Sequence, residues 1–412
     1  MSTKQGYSIT TRRLRLRCRH PEWLQKTQDF YNEIAFFYYE LLLKHTELWN
    51  LGSQRLLREL EILSLPGREN RIPESPLPWE KVPLYFRRAA ANTGIAAAKS
   101  YLARQDINPG RKSQKLDAAV VFYKGMYRDF SSSEITLKVW DGNQWQWMRC
   151  RIYGQEFPEG AQIMSPSVVF EYKFVMLHVP IKEAVDDSAG IKQRFAEKRN
   201  FCSIQFTNGD AFAVGCISDI SGSELAVRLW GGGKEYAHHC KRVVEKIEKS
   251  EKSLGESKCG RGRDERLKSN ERPNQKYWMH LKHLAEHYAH EVSAGIVSFC
   301  KEHDAAVIVL PKYDKDYTRH VMYGSGDWSP LHLSVRIRQF LPYKAWKAGI
   351  LVIDVNARGI SSVCAKCGKN IVGFNKQKIE YFCEDGHRGN RHLNAARNLG
   401  KKYLMQFGKH VE

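Results

Sequence analysis

The chain has 412 residues, 42% hydrophobic and 11% aromatic, which excludes a disordered polymer and suggests roughly two to four folded domains. A formal charge of +20, from 65 Lys and Arg against 45 Asp and Glu, points to a polyanionic partner, with nucleic acid the first candidate. No apolar run approaches the ~20 residues that span a bilayer, and Met1 to Arg19 lacks the apolar core of a signal peptide, so no membrane partner and a cytoplasmic, nucleoid-associated location are expected.

Tyr7 to Arg19 alternates, Y-S-I-T-T-R-R-L-R-L-R-C-R, which predicts a strand with a basic face. Pro21 then opens a helix whose apolar residues, from Trp23 to Leu42, recur at helical spacing. A second helix is predicted over 53–63, a proline-rich loop over 65–83 and a third helix over 84–102, with alanines that permit close packing. Beyond a basic linker at 111–115, β-branched and aromatic runs at 118–123, 134–140, 144–153 and 168–180 read as strands. A strand, a helical insertion and further strands describe a small β-barrel interrupted by a helical lobe.

A hairpin is predicted at 201–217, with a third strand at 225–229. A charged helix over 236–252, a Gly- and Arg-rich loop over 255–274 and a long amphipathic helix over 278–303 follow. Then come an apolar strand at 305–310, a helix at 333–348 and a last strand at 350–355. Cys364-x2-Cys367, fifteen residues and Cys383-x3-His387 have the spacing of a structural zinc ribbon. Gly386 stands near where a fourth cysteine is usual, so His387 is expected to complete the tetrahedron, with Asp385 the alternative. The other cysteines sit singly in apolar stretches, as reduced buried thiols do.

The ribbon runs straight into R-H-L-N-A-A-R-N-L, residues 391–399. This segment resembles the C-terminal end of the TnpB family of transposon-encoded RNA-guided nucleases and of the related compact type V CRISPR effectors, where the ribbon is followed by D-x-N-A-A. The resemblance implies an α+β multidomain fold: a wedge-type β-barrel (1–20 and 113–197) with an inserted helical recognition lobe (21–112), then an RNase H-like RuvC domain (198–356), a zinc-ribbon target-nucleic-acid-binding module (357–389) and a final RuvC helix (390–412).

Family nucleases hold two divalent metals on three carboxylates, because Mg²⁺ demands hard oxygen ligands. At the matching positions this chain has Gln205, Pro311 and His392: an amide, no side-chain ligand and a soft nitrogen donor. The resemblance therefore implies a naturally nuclease-inactive protein, with structural Zn²⁺ and without Mg²⁺ at the RuvC site. Its partners would be a guide RNA, a double-stranded DNA target that forms an RNA–DNA heteroduplex beside a short flanking motif, and a transcription or transposition partner protein. Expected phosphate contacts are Arg12, Arg13, Arg15, Arg17 and Arg19 on the first strand, Arg87 and Arg88 in the helical lobe, Lys258, Arg261, Arg263 and Arg266 in the basic loop, and Arg336 and Arg338 beside the altered site. Tyr123, Tyr127, Trp145 and Trp147 are candidates for base stacking. Two other readings stay open. One is an active nuclease with carboxylates relocated to Asp210, Asp219 or Asp354; the other is a transposon accessory protein that binds nucleic acid without a guide.

Overall fold

The computed structural model describes residues 6–67, 72–105, 112–171, 174–257, 274–314, 325, 328–375 and 379–408. The chain divides into two compact units, Ile9–Glu183 and Ala184–Glu412, the second completed by Met1–Ser8.

In the first unit, β1 (Tyr7–Cys18) leads into α1 (Pro21–Lys44), α2 (Ser53–Ser64) and α3 (Leu84–Gln105). Pro21 sits at the first turn of α1, where its fixed φ suits a helix and its missing N–H is no loss. Helices α1 and α3 pack at short range because Gly94 has no side chain: a Cβ there would lie 2.1 Å from the Ala35 carbonyl oxygen. Ala89, Ala90, Ala91 and Ala98 keep the rest of that contact small. Strands β2 (Val120–Val121), β3 (Tyr127–Arg128), β4 (Glu134–Trp140), β5 (Trp145–Tyr153), β6 (Gln162–Ile163), β7 (Ser167–Glu171) and β8 (Phe174–Ala184) complete a sheet in the order β2-β7-β8-β1-β5-β4-β3, with β6 on β8. The run expected as one strand over 168–180 is a hairpin of β7 and β8. The sheet's end strands β2 and β3 have two residues each and are not bonded to each other. Among the described residues the expected barrel is thus an open half-barrel, because such short ends cannot close a ladder.

In the second unit, β9 (Asn200–Phe206), β10 (Ala213–Ser218), β11 (Glu224–Trp230), β12 (Ala305–Lys312) and β13 (Leu351–Asn356) form a sheet ordered β11-β10-β9-β12-β13. The first three are antiparallel, and β12 runs parallel to both β9 and β13. Around it lie α4 (Ile191–Ala196), α5 (Gly233–Ser257), α6 (Gln275–Glu302), α7 (Pro330–Lys347) and α8 (Arg391–Gly408). A strand buried at every residue, as β9 is from Phe201 to Phe206, requires cover on both faces. Cys202, Ile204, Ile308 and Leu310 face α5, α6 and α7. Phe201, Val307 and Val309 face Leu399 and Tyr403 of α8. The period of two then places Gln205 and Pro311 at the ends of β9 and β12 on the α8 side.

Between β13 and α8 lies a three-stranded ribbon, β14 (Ile371–Asn375), β15 (Glu380–Cys383) and β16 (Arg388–Asn390). No helix among the described residues is long and apolar enough to cross a membrane.

Candidate functional site

The Sγ atoms of Cys364, Cys367 and Cys383 and a ring nitrogen of His387 all lie within 4.8 Å of one another, the set of ligands a tetrahedral zinc takes. Two turns build it. In one, Gly368 N donates to Cys364 O at 2.8 Å; in the other, Gly386 N donates to Cys383 O at 2.9 Å. Gly368 and Gly386 both have φ +77°, so Gly386 is needed for the turn and His387 supplies the ligand one residue later. Asp385 is committed elsewhere, to Lys369 Nζ at 2.7 Å. Burial raises the Cys364 thiol's pKa, but Tyr381 Oη and the backbone amides of Cys367 and Lys366 outweigh it and bring the value to about 6, favouring the thiolate a metal needs. The residues present fit a zinc ion.

The ribbon is fastened by the N-A-A-R-N segment. Asn394 accepts from Ala365 N at 2.7 Å and donates to Val363 O at 2.8 Å. One turn on, Asn398 donates to Ile360 O and Val363 O, both at 2.8 Å. Ala395 and Ala396 are small enough to bury against the sheet and the loop after β13. Arg397 forms a two-point ion pair with Glu224, at 2.7 and 2.9 Å.

A cleft of about 540 Å³ opens where β9, β12, α7 and the start of α8 converge. Gln205, Lys312, Tyr313, Arg338, Arg391 and His392 line it, with Phe206 and Phe374 among its apolar walls, and no Asp or Glu is among its described lining residues. Gln205 donates to Phe206 O at 2.9 Å and to Tyr313 Oη at 3.0 Å. Pro311 offers only its carbonyl, which accepts from Arg338 at 2.9 Å, and the same guanidinium nitrogen donates to Asp354 at 2.8 Å. Burial, reinforced by the neighbouring Arg391, lowers the His392 pKa to about 4, so its ring is neutral at pH 7 and accepts from Arg391 Nε at 3.4 Å. The structure thus brings Gln205 and His392, two of the three positions matched to family carboxylates in the sequence, into one cleft, with an arginine on the carbonyl of Pro311.

The remaining acids do not assemble. Asp219 accepts from Ser221 Oγ and Ser223 N in its own turn, Asp354 is paired with Arg338, and Asp210 is exposed. The cysteine–histidine set is the one cluster of three or more such ligands among the described residues.

The first unit carries the second basic surface. Arg13, Arg15, Arg17 and Arg19 are exposed at alternate positions, but Arg12 has the opposite parity and donates to Gln155, so it is not part of that row. Arg13 is ion-paired with Glu171. Arg15 lies 4.2 Å from the Phe174 ring centroid, and Arg17 lies 5.6 Å from that of Tyr153. Arg17, Arg19, Arg149, Arg151 and Tyr153 line a groove of about 390 Å³. The β1–β5 register, with Arg17 opposite Arg151 and Arg15 opposite Tyr153, puts them on one face. Sequence reasoning missed Arg149 and Arg151, although their alternation in W-M-R-C-R-I-Y was the available signal.

Arg87 and Arg88 both bind Glu61, and Arg87 is largely buried, so they brace α3 against α2. Arg336 is ion-paired with Glu286 at 3.6 Å. Lys258, Arg261, Arg263 and Arg266 lie outside the described residues. Of the four aromatics, Trp147 is the exposed one, with Arg128 4.4 Å from its ring centroid. Trp145 instead packs among Phe30, Phe86 and Trp140. Tyr123 accepts from Asn92, and Tyr127 stacks edge-on with Phe130.

A Cas12f1-like TNB domain model matches residues 335–399, and an Aq_aa04 family model matches residues 8–141. A search of curated proteins finds no match. Among solved structures, a Cas12f1–sgRNA–target DNA complex aligns over 92% of this chain and 81% of its own at 14% identity, with a TM-score of 0.60. Alicyclobacillus acidoterrestris C2c1 with single-guide RNA aligns over 92% and 70% at 10% identity, TM-score 0.46. At these identities the likeness is one of fold, and the Cas12f1 alignment carries it. The TNB domain match and the Cas12f1 alignment define what the chain is similar to: it shares the fold of compact type V effectors and, over residues 335–399, their TNB domain.

Proposed function

We propose that this protein binds a guide RNA, pairs it with one strand of a DNA target beside a short flanking motif, and occupies that site without cutting it. The observation that carries the reading is the charge of the cleft. Cleavage with two metals needs carboxylates, and the described lining supplies two amides, a neutral imidazole and three cationic side chains. The arginine and aromatic groove on the first unit suits a structured RNA, with guanidinium groups for phosphates and Tyr153, Phe174 and Trp147 for stacking. The complexes with sgRNA and target DNA formed by proteins of this fold support the assignment of partners. In such systems base pairing reads sequence while protein reads backbone shape and the motif. Without cleavage the output is occupancy: repression of transcription, or recruitment of a transcription or transposition partner.

The test is to purify the protein from its host, sequence the RNA bound to it and map the matching DNA sites. Incubation with matched duplex in Mg²⁺ should then give stable binding and intact strands. Mg²⁺-dependent nicks in that duplex would show an active nuclease. Binding that ignores guide sequence would show an accessory protein.

A further inference from the structure

We infer that the cleft at the end of β9 and β12 is a phosphodiester-binding site that holds a single nucleic-acid strand by its own cations, with no divalent ion between protein and phosphate. The inference rests on the reading of that cleft as lacking metal-binding carboxylates. A metal site of this type is built from negative charge, and the metal bridges it to the phosphate oxygens. Here the sign is reversed. Lys312, Arg338 and Arg391 line the cleft, and Asp354, which is not among its lining residues, is held on one nitrogen of Arg338. The other terminal nitrogen of Arg338 is buried with no acceptor among the described residues. An acceptor is therefore owed there, and a phosphate oxygen, reached by a small shift of the side chain, would supply it.

The neutral His392 removes a second conflict. It accepts from Arg391 Nε, which orients the guanidinium and leaves its terminal nitrogens to donate elsewhere. The apolar walls add the other half of a nucleotide's chemistry. Phe374 is 48% exposed on the ribbon's β14, and Phe206 also lines the cleft, with Arg338 over its ring at 5.8 Å. At about 540 Å³ the cleft is of a size that takes a small ligand, hence a nucleotide or two of one strand and not a duplex. Cation donors for phosphates beside an exposed ring for a base make the combination that single-strand sites use.

The experiment titrates the full chain, as purified, with a fluorescent thymidine oligonucleotide carrying 4-thiothymidine, in Mg²⁺ and in EDTA at matched ionic strength. The expected result is the same affinity in both, with photocrosslinks to peptides containing Tyr313 or Phe374. Lys312→Gln combined with Arg391→Gln should abolish those crosslinks and reduce the slope of log affinity against log salt by about 0.7 for each charge removed. Lys312→Gln alone, at an exposed position, serves if the double variant does not fold. Crosslinks confined to other peptides, an affinity lost in EDTA, or an unchanged salt slope in the variants would each overturn the inference. Loss of guide-directed occupancy with these crosslinks intact would instead overturn the functional reading alone.

Discussion

Arg194 is fully buried, and it is the residue on which the entry to the second unit depends. Its guanidinium donates to Ala189 O at 2.8 Å, Ala306 O at 2.6 Å, Gly349 O at 2.7 Å and Asp187 O at 2.9 Å, and pairs with the Asp187 carboxylate at 3.2 Å. Four carbonyls from three chain segments thus share one cation. Arg194→Met would leave them without a donor and should cost about 3–5 kcal/mol, measured as a shift in the urea midpoint of the second unit. Glu61 gives a pH signature. Its burial raises the carboxyl pKa, but the hydrogen bonds from Arg88 and Arg87 outweigh that and hold it below the usual range. The folded value is the lower one, so the bracing is present above the unfolded pKa of about 4.3 and fades as pH falls through the folded value. Glu61→Gln should therefore destabilise the helical lobe by about 1–3 kcal/mol at pH 7, and the gap to the parent should close in acid, as followed by thermal unfolding at a series of pH values.

At the scale of elements, the three-stranded ribbon is fastened by the asparagines of α8, and a zinc on its cysteine–histidine set would hold it from the other side. Chelation should release one zinc per chain and open residues 364–387 to protease while the first unit stays resistant, which limited proteolysis would report. Asn394→Ala removes a donor and an acceptor from a buried backbone segment and should lower stability by about 1–3 kcal/mol with zinc still bound, by metal content and melting point together. Most elements were legible in the sequence because their periods are clean: the alternation of β1, the apolar run of β12 and the helical spacing of α1 each report their burial. The cysteine–histidine cluster was legible because thiol spacing is strict. Arg194 was not, since nothing in K-Q-R-F distinguishes a buried arginine from a solvated one. Arg87 was misplaced for the same reason: a cation's partner, here Glu61, lies on another helix that the linear sequence does not bring near. The open edge of the half-barrel was hidden because pairing between distant strands leaves no local mark.

For the whole molecule, the excess of 20 positive charges is unevenly spent. Arg87, Arg336 and Arg397 answer acids, whereas Arg17, Arg149 and Arg151 converge in one groove with Glu134 the acid on Arg149. Replacing Arg149 and Arg151 by Gln should weaken binding of the co-purified RNA and reduce the magnitude of its log–log salt slope by about 1–2, read by filter binding between low and physiological salt. Equal losses from Arg87→Gln would contradict this division of labour.

The position of α8 has a temporal consequence. It covers the inner face of β9 and carries His392 into the cleft, yet it is made after every strand of that sheet. Residues 6–8 wait as well: Gly6 O is met by Val185 N and Tyr7 O by the Trp346 indole. On the ribosome, the block from Ile9 to Glu183 can settle while the second unit is still an exposed sheet lacking its lid. A chain that stalls before its last turns would emerge with the groove of Arg17, Arg149 and Arg151 formed and the cleft at His392 unmade.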